Sequence, residues 1–242
     1  MSLENARVVV IGASGGIGSA VARRIRSQGG HPILMGRSEE RLAVLGSELG
    51  AQTCPVDAAN SDELERAVAS CNPIEGIVNC AGSILLKPAH LTAQQEWEQT
   101  IRTNLTTAFA TVKAAVKVFG SQGGSIVLCA TAAARIGISN HEAIAAAKAG
   151  VIGLTLSAAA TYAPRNVRVN CVAPGLVDTP LAARITSSEP ALKASAAMHA
   201  LGRIGQPDEV ASGIVWFLDP ETAWVTGQVL GIDGGLGSLR SR

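Results

Sequence analysis

Aromatic side chains are nearly absent from this chain: they make up 3% of 242 residues, with Tyr162 the single tyrosine beside three Phe and three Trp. The core must therefore be aliphatic, and almost no phenol is available for chemistry. Charge is sparse as well, at 16% of residues, and twenty basic side chains against nineteen acidic ones leave a formal net charge of +1. That balance gives no field able to concentrate nucleic acid or an anionic membrane on the surface. The five cysteines, Cys54, Cys71, Cys80, Cys129 and Cys171, are odd in number and lack CxxC or His-rich spacing, which argues against a disulfide framework or a metal site. Reduced thiols in a cytoplasmic protein are expected. The start, MSLENARVVV, sets Glu4 and Arg7 around a short apolar run and does not read as a secretory signal. The longest apolar uncharged run, 149–163, is interrupted by Gly150, Gly153, Thr155, Ser157 and Thr161 and falls short of the roughly 20 residues a spanning helix needs. It reads as a buried helix.

What is present is apolar and periodic. Hydrophobic residues reach 47% with 26 glycines, enough for one large core. Short β-branched runs at 7–11, 32–35, 52–56, 76–80, 125–129, 167–172 and 229–232 alternate with helical stretches at 16–28, 39–49, 61–70, 93–119 and 140–162. Such alternation predicts an α/β fold of Rossmann type, a doubly wound parallel sheet of about seven strands with helices on both faces. No linker divides the chain, so 1–242 is expected to be one domain. Its least regular part, 175–203, contains Pro180, Pro190 and a Ser187-Ser188 patch and suits a lid over a site, at about 176–203.

The first strand runs directly into Gly12-Ala-Ser-Gly-Gly16-Ile-Gly18 and then a helix. Glycines there let the backbone turn tightly and approach a pyrophosphate, whose charge the helix N-terminus favours. At the end of the second strand, where an acid would hold a free ribose 2′-hydroxyl, the sequence reads Gly36-Arg37-Ser38. A guanidinium and a hydroxyl suit a 2′-phosphate, which predicts NADP(H) over NAD(H). The competing reading is a solvated Arg before a helix starting near Ser38.

With these motifs in order, the chain resembles the short-chain dehydrogenase/reductase family over nearly its whole length. Asn79-Cys80-Ala81-Gly82 is similar to the Asn-Asn-Ala-Gly signature after the fourth strand, and the run from Pro174 and Gly175 through Val177 to Thr179 resembles the loop that holds the nicotinamide carboxamide. Gly202 to Ala211, Thr226-Gly227-Gln228 and Asp233-Gly234-Gly235 also match; Ile11 departs from the usual Thr, and Cys80 from the second Asn. The resemblance implies a cofactor held by Gly12, Ser14, Gly15, Gly16, Ile17, Gly18, Arg37, Ser38, Asp57, Asn79, Ala81, Gly82, Lys148, Pro174, Gly175, Val177 and Thr179. Asp57 fits either the adenine amino group or a turn and helix cap. Cys80 reads as filler, since no cation adjoins it in sequence.

The resemblance further implies an active site of Asn, Ser, Tyr and Lys, in which the Tyr passes a proton to or from the reacting oxygen and the Lys lowers the phenol's pKa. Asn104 and Lys148 match the first and last; Asn104 could instead satisfy a backbone kink. Thr131 stands at the Ser position and Ile144 at the Tyr position. Isoleucine carries no labile proton. Tyr162 cannot replace it, because eighteen residues at about 1.5 Å each put it roughly 27 Å along the helix.

His141, three before Ile144, would share its helix face if the first turn were already formed, and an imidazole suits proton transfer near neutrality. Glu142 reads better as part of a Ser139–Glu142 capping box. A proton role for Lys148 itself, through ribose or water, stays open. The expected function is an NADP-dependent oxidoreductase interconverting a carbonyl and an alcohol on a small apolar or amphipathic substrate, with a non-standard proton donor. The alternatives are a catalytically impaired NADP-binding sensor or structural subunit, or reduction of an activated carbon–carbon double bond. Small residues from Ala145 to Gly153 and from Ala158 to Ala160 would make a flat helix face of the kind this family uses between subunits, so a homotetramer or homodimer is expected.

Overall fold

Strand β1 (Arg7–Ile11) is a continuous β-branched run because both of its faces are covered: Val9 and Ile11 feed one apolar core, Val8 and Val10 the other. Around it the computed structural model, which describes residues 3–239, leaving 1–2 and 240–242 of the expected domain outside the described residues, places β2 (His31–Gly36), β3 (Gln52–Pro55), β4 (Gly76–Asn79), β5 (Gly124–Cys129), β6 (Val167–Pro174) and β7 (Val229–Ile232). All pair in parallel in the order β3-β2-β1-β4-β5-β6-β7. The order reverses between β1 and β4. In a doubly wound sheet the crevice for a ligand opens there, beyond the carboxyl ends of the strands.

The first core lies under helices α3 (Ser61–Ala69), α5 (Thr107–Val118) and α6 (Glu142–Tyr162), with Leu64, Val112 and Val151 packed on Ile77, Ile126 and Val169. The second lies under α1 (Gly16–Ser27), α2 (Glu39–Leu49) and α9 (Pro207–Leu218), with Ile25, Leu42, Ile214 and Phe217 on Val8, Val10 and Val127. Each such apolar side chain contributes about 1.5–3 kcal/mol by leaving water. The sparing use of aromatics thus concentrates stability in branched alkanes.

Three stretches differ from the sequence expectation. The helix expected over 93–119 is α4 (Gln94–Ile101) and α5 joined by a π-helical turn, Arg102–Thr106, which Asn104 stabilises. The irregular stretch holds the short α7 (Ala183–Thr186) and a full helix, α8 (Glu189–Met198), and α9 follows it. Pro190 and Pro207 occupy first-turn positions, where a proline starts a helix instead of breaking it. Finally, α6 begins at Glu142. With the 3-10 turn that continues it, the 24-residue segment Glu142–Arg165 is long and apolar enough to cross a membrane, because it extends the expected run at both ends, yet α6 packs on β5 and β6 with Ala147, Val151, Thr155 and Ala158 buried.

Candidate active site and cofactor cleft

At the switch point the glycine loop leaves β1 with Gly12 in the left-handed region at φ +76°. A Cβ on Gly12 would lie 2.8 Å from the Ala81 nitrogen, one on Gly18 2.2 Å from the Gly12 oxygen, and one on Gly16 2.6 Å from Thr179 Cγ2. None of the three positions has room for a side chain. The loop is therefore pressed between the turn after β4 and the segment after β6, and α1 begins beyond it with Gly15, an N-cap residue with no side chain to offer the first amides. Its first amide groups are left for an anion.

Above this loop lies a cleft of about 580 Å³. Among the expected cofactor residues, Gly12, Ser14, Gly15, Gly16, Ile17, Gly18, Arg37, Asp57, Ala81, Gly82 and Thr179 line it. Ser38 does not. It caps α2, its hydroxyl accepting from the Arg41 amide at 3.4 Å. Arg41, in the first turn of α2, does line the cleft and was missed. Asp57 closes its own turn by accepting from the Ala59 amide at 3.1 Å while pairing with Arg102 at 3.3 Å, so its carboxylate sits on the cleft wall already partnered.

Asn79 lies beneath the cleft, nearly fully buried. Its amide donates to Thr111 Oγ1 at 2.9 Å and its carbonyl accepts from the Ala81 amide at 2.8 Å, which fixes the turn carrying Ala81 and Gly82. Pro174, Gly175 and Val177 lie outside the lining and shape the loop that brings Thr179 to it. A Cβ on Gly175 would lie 2.5 Å from His199 Nε2, and His199 is the anchor that sequence reasoning overlooked. The Leu176 amide donates to His199 Nε2 at 3.1 Å and Nδ1 donates to the Ser195 carbonyl at 2.7 Å, an arrangement that needs the neutral Nδ1–H ring. This buried imidazole ties the start of the 176–203 segment to the end of α8.

Asn104, Gly82 and Lys148 come together. A Cβ on Gly82 would lie 3.0 Å from Asn104 Oδ1 and 3.5 Å from Lys148 Nζ. The Asn104 side chain accepts from the Ser83 amide at 3.1 Å and donates to Ser83 Oγ and the Thr100 carbonyl, both at 2.9 Å. It therefore satisfies the π-helical turn and clamps that turn to the loop after β4. Lys148 reaches from α6 to the Cys129 carbonyl at 2.7 Å. Burial pushes its amine below the ordinary lysine value, against a smaller opposing pull from nearby thiols.

Thr131 donates to the Pro174 carbonyl at 3.4 Å and accepts from the Ala133 amide at 3.3 Å. Ile144 is 5% exposed, one helix turn before Lys148 on α6. His141 stands at the N-cap with φ −112° and ψ 11°, outside the first turn, so the shared helix face expected for it and Ile144 is not formed. Its Nδ1 bonds the Ser139 carbonyl at 2.8 Å. Glu142 is then the first helical residue, and the capping box expected from Ser139 to Glu142 is not formed. Tyr162 ends α6 with Arg165 stacked 5.9 Å from its ring centroid, remote from Lys148 along the helix.

A family model described as enoyl-(acyl carrier protein) reductase matches residues 12–237. The chain is 35% identical to a 3-oxoacyl-[acyl-carrier-protein] reductase, FabG, of Thermotoga maritima, covering 98% of this chain and 99% of that one, and 32% identical to FabG of Vibrio harveyi with the same coverage. Among solved structures, a short-chain type dehydrogenase/reductase from Mycobacterium ulcerans superposes with a TM-score of 0.94 at 30% identity, covering 100% of this chain and 93% of that one. A single-substitution variant of actinorhodin polyketide ketoreductase with NADPH superposes with a TM-score of 0.91 at 31% identity, covering 97% of this chain and 98% of that one. The fold, the switch-point cleft and these matches define an enzyme class. The chain belongs to the short-chain dehydrogenase/reductase family, whose members matched here are oxidoreductases.

Proposed function

We propose that this protein is an NADP(H)-dependent oxidoreductase interconverting a carbonyl and an alcohol on a small apolar or amphipathic substrate, and that it lacks the phenol its family uses as proton donor. The observation that carries the cofactor assignment is the cleft. Its floor is a glycine loop with no room for Cβ atoms, and its rim carries Arg37 and Arg41 where a ribose 2′-phosphate would lie. The bound nucleotide would supply or accept the hydride.

This chain's own residues divide the remaining work. The glycine loop and the α1 N-terminus would hold the pyrophosphate, Asp57 the adenine end, and Thr179 with the loop from Pro174 the nicotinamide end. Lys148 is the cation the structure brings beside Gly82 and Asn104, and it would bind the ribose hydroxyls. The proton at the substrate oxygen would come from Lys148, directly or through ribose or water, or from His141 by way of Nε2, since Nδ1 is engaged. Thr131 would orient the carbonyl. The relatives named for 3-oxoacyl reduction make a β-keto thioester the first substrate class to try. The segment at about 176–203 would close over it as a lid, and the expected assembly is a cytoplasmic homotetramer or homodimer.

The buried Ile144 favours a second reading, an NADP-binding sensor or structural subunit without turnover. NADPH oxidation with a β-keto thioester separates the two. Turnover that survives His141→Ala and is lost in Lys148→Met assigns the proton to the lysine, the reverse pattern assigns it to the histidine, and no turnover with intact NADPH binding supports the sensor.

A further inference from the structure

Continuing the β4–β5 register one residue past Asn79↔Leu128 sets Cys80 opposite Cys129 at the carboxyl edge of the sheet. Both residues are half-buried and both pack on the same face, against the core under α1 and α9. Neighbouring parallel strands lie about 4.8 Å apart, inside the roughly 4.4–6.8 Å over which Cα atoms of a disulfide are found. Cys80 also lines the cofactor cleft. Sequence proximity offered it no cation, but folding does: Lys148 arrives from α6, bonded to the Cys129 carbonyl at 2.7 Å, within electrostatic reach of both sulfurs.

We propose that Cys80, in the lining of the cofactor cleft, and Cys129 beside it are a reversible dithiol–disulfide pair, oxidised by a peroxide and shielded when a nucleotide is bound. The shielding rests on the functional reading above; the pair itself does not. The two thiols act on each other, Cys129 held below its ordinary value and Cys80 above its own, and the Lys148 ammonium favours the thiolate form of both. Cys129 is then the attacking sulfur. Its thiolate displaces hydroxide from hydrogen peroxide to give a sulfenic acid, and the hydroxide takes a proton to leave as water. The Cys80 sulfur attacks the sulfenic sulfur, the S–O bond breaks, a second water leaves with the Cys80 proton, and the disulfide closes. Two thiols and one peroxide give one disulfide and two waters. An external dithiol reverses the step by exchange.

The test treats the whole protein with hydrogen peroxide, with and without NADPH, quenches free thiols by alkylation, and maps the cysteines by mass spectrometry before and after dithiothreitol. A Cys80–Cys129 cross-linked peptide two hydrogen masses lighter than its parts is expected, lost on reduction, absent from Cys80→Ser and Cys129→Ser, present in Cys54→Ser, and suppressed by NADPH. Irreversible sulfinic acid on either residue without a cross-link, or a cross-link only between Cys54 and Cys71, overturns the pair. A cross-link that forms equally with NADPH bound overturns the shielding, whereas a protein that binds no nucleotide yet forms the cross-link overturns the functional reading and the shielding while leaving the pair standing. Mass mapping of the wild-type chain needs no variant to fold.

Discussion

Restoring the missing phenol is the sharpest perturbation available. Ile144 and Lys148 stand one turn apart on α6, so an aromatic side chain at 144 projects from the helix face that carries the lysine. A positioned general acid contributes about 10²–10⁴-fold to turnover, or about 3–5.5 kcal/mol at about 1.4 kcal/mol per decade. Enlarging a 5% exposed site costs about 1–3 kcal/mol in overpacking, which a domain stable by about 5–15 kcal/mol survives. Ile144→Tyr is therefore expected to fold with a lowered Tm and to raise kcat for NADPH oxidation with a β-keto thioester by about a hundredfold or more. The nucleotide Kd should stay near the parent's. A folded variant that binds NADPH like the parent but turns over no faster would refute the idea that a proton donor at 144 is what the site lacks.

Gly18→Ala places a methyl 2.2 Å from the Gly12 oxygen and should abolish nucleotide binding by calorimetry while the far-ultraviolet circular dichroism stays α/β in shape. Arg37→Ala should weaken NADPH about tenfold or more and leave NADH unchanged, the loss of one charge-assisted contact. Asn104→Ala leaves the Ser83 amide and Thr100 carbonyl without their partner, a destabilisation of about 1–3 kcal/mol by urea unfolding. On α3, Glu65 is held down to about 2 by the ammonium groups of Lys113 and Lys117 of α5, both ion-paired with its carboxylate. Its folded value lies below the ordinary 4.5, so its contribution is present above that pH and fades as pH falls through about 2; the stability gap between wild type and Glu65→Gln should narrow in step over that window.

Most strand positions were legible because a parallel sheet buried on both faces leaves unbroken β-branched runs, and 7–11 and 229–232 coincide with β1 and β7. The glycine loop was legible because its spacing follows from close backbone approach. Less legible was anything that depended on which elements meet. The π-helical turn has no composition signature, and Pro190 reads as part of an irregular stretch until its place in a first turn is known. His199 carried no signal until folding buried it against Gly175, and Cys80 had no cation nearby until α6 delivered one.

Nucleotide binding is the property on which the role of the cleft depends most directly. A fluorescence titration of the purified wild-type chain with NADPH and with NADH should give saturable binding of both, with NADPH tighter by about tenfold or more. Binding of neither nucleotide would contradict the cleft assignment, and tighter binding of NADH would contradict the role given to Arg37 and Arg41.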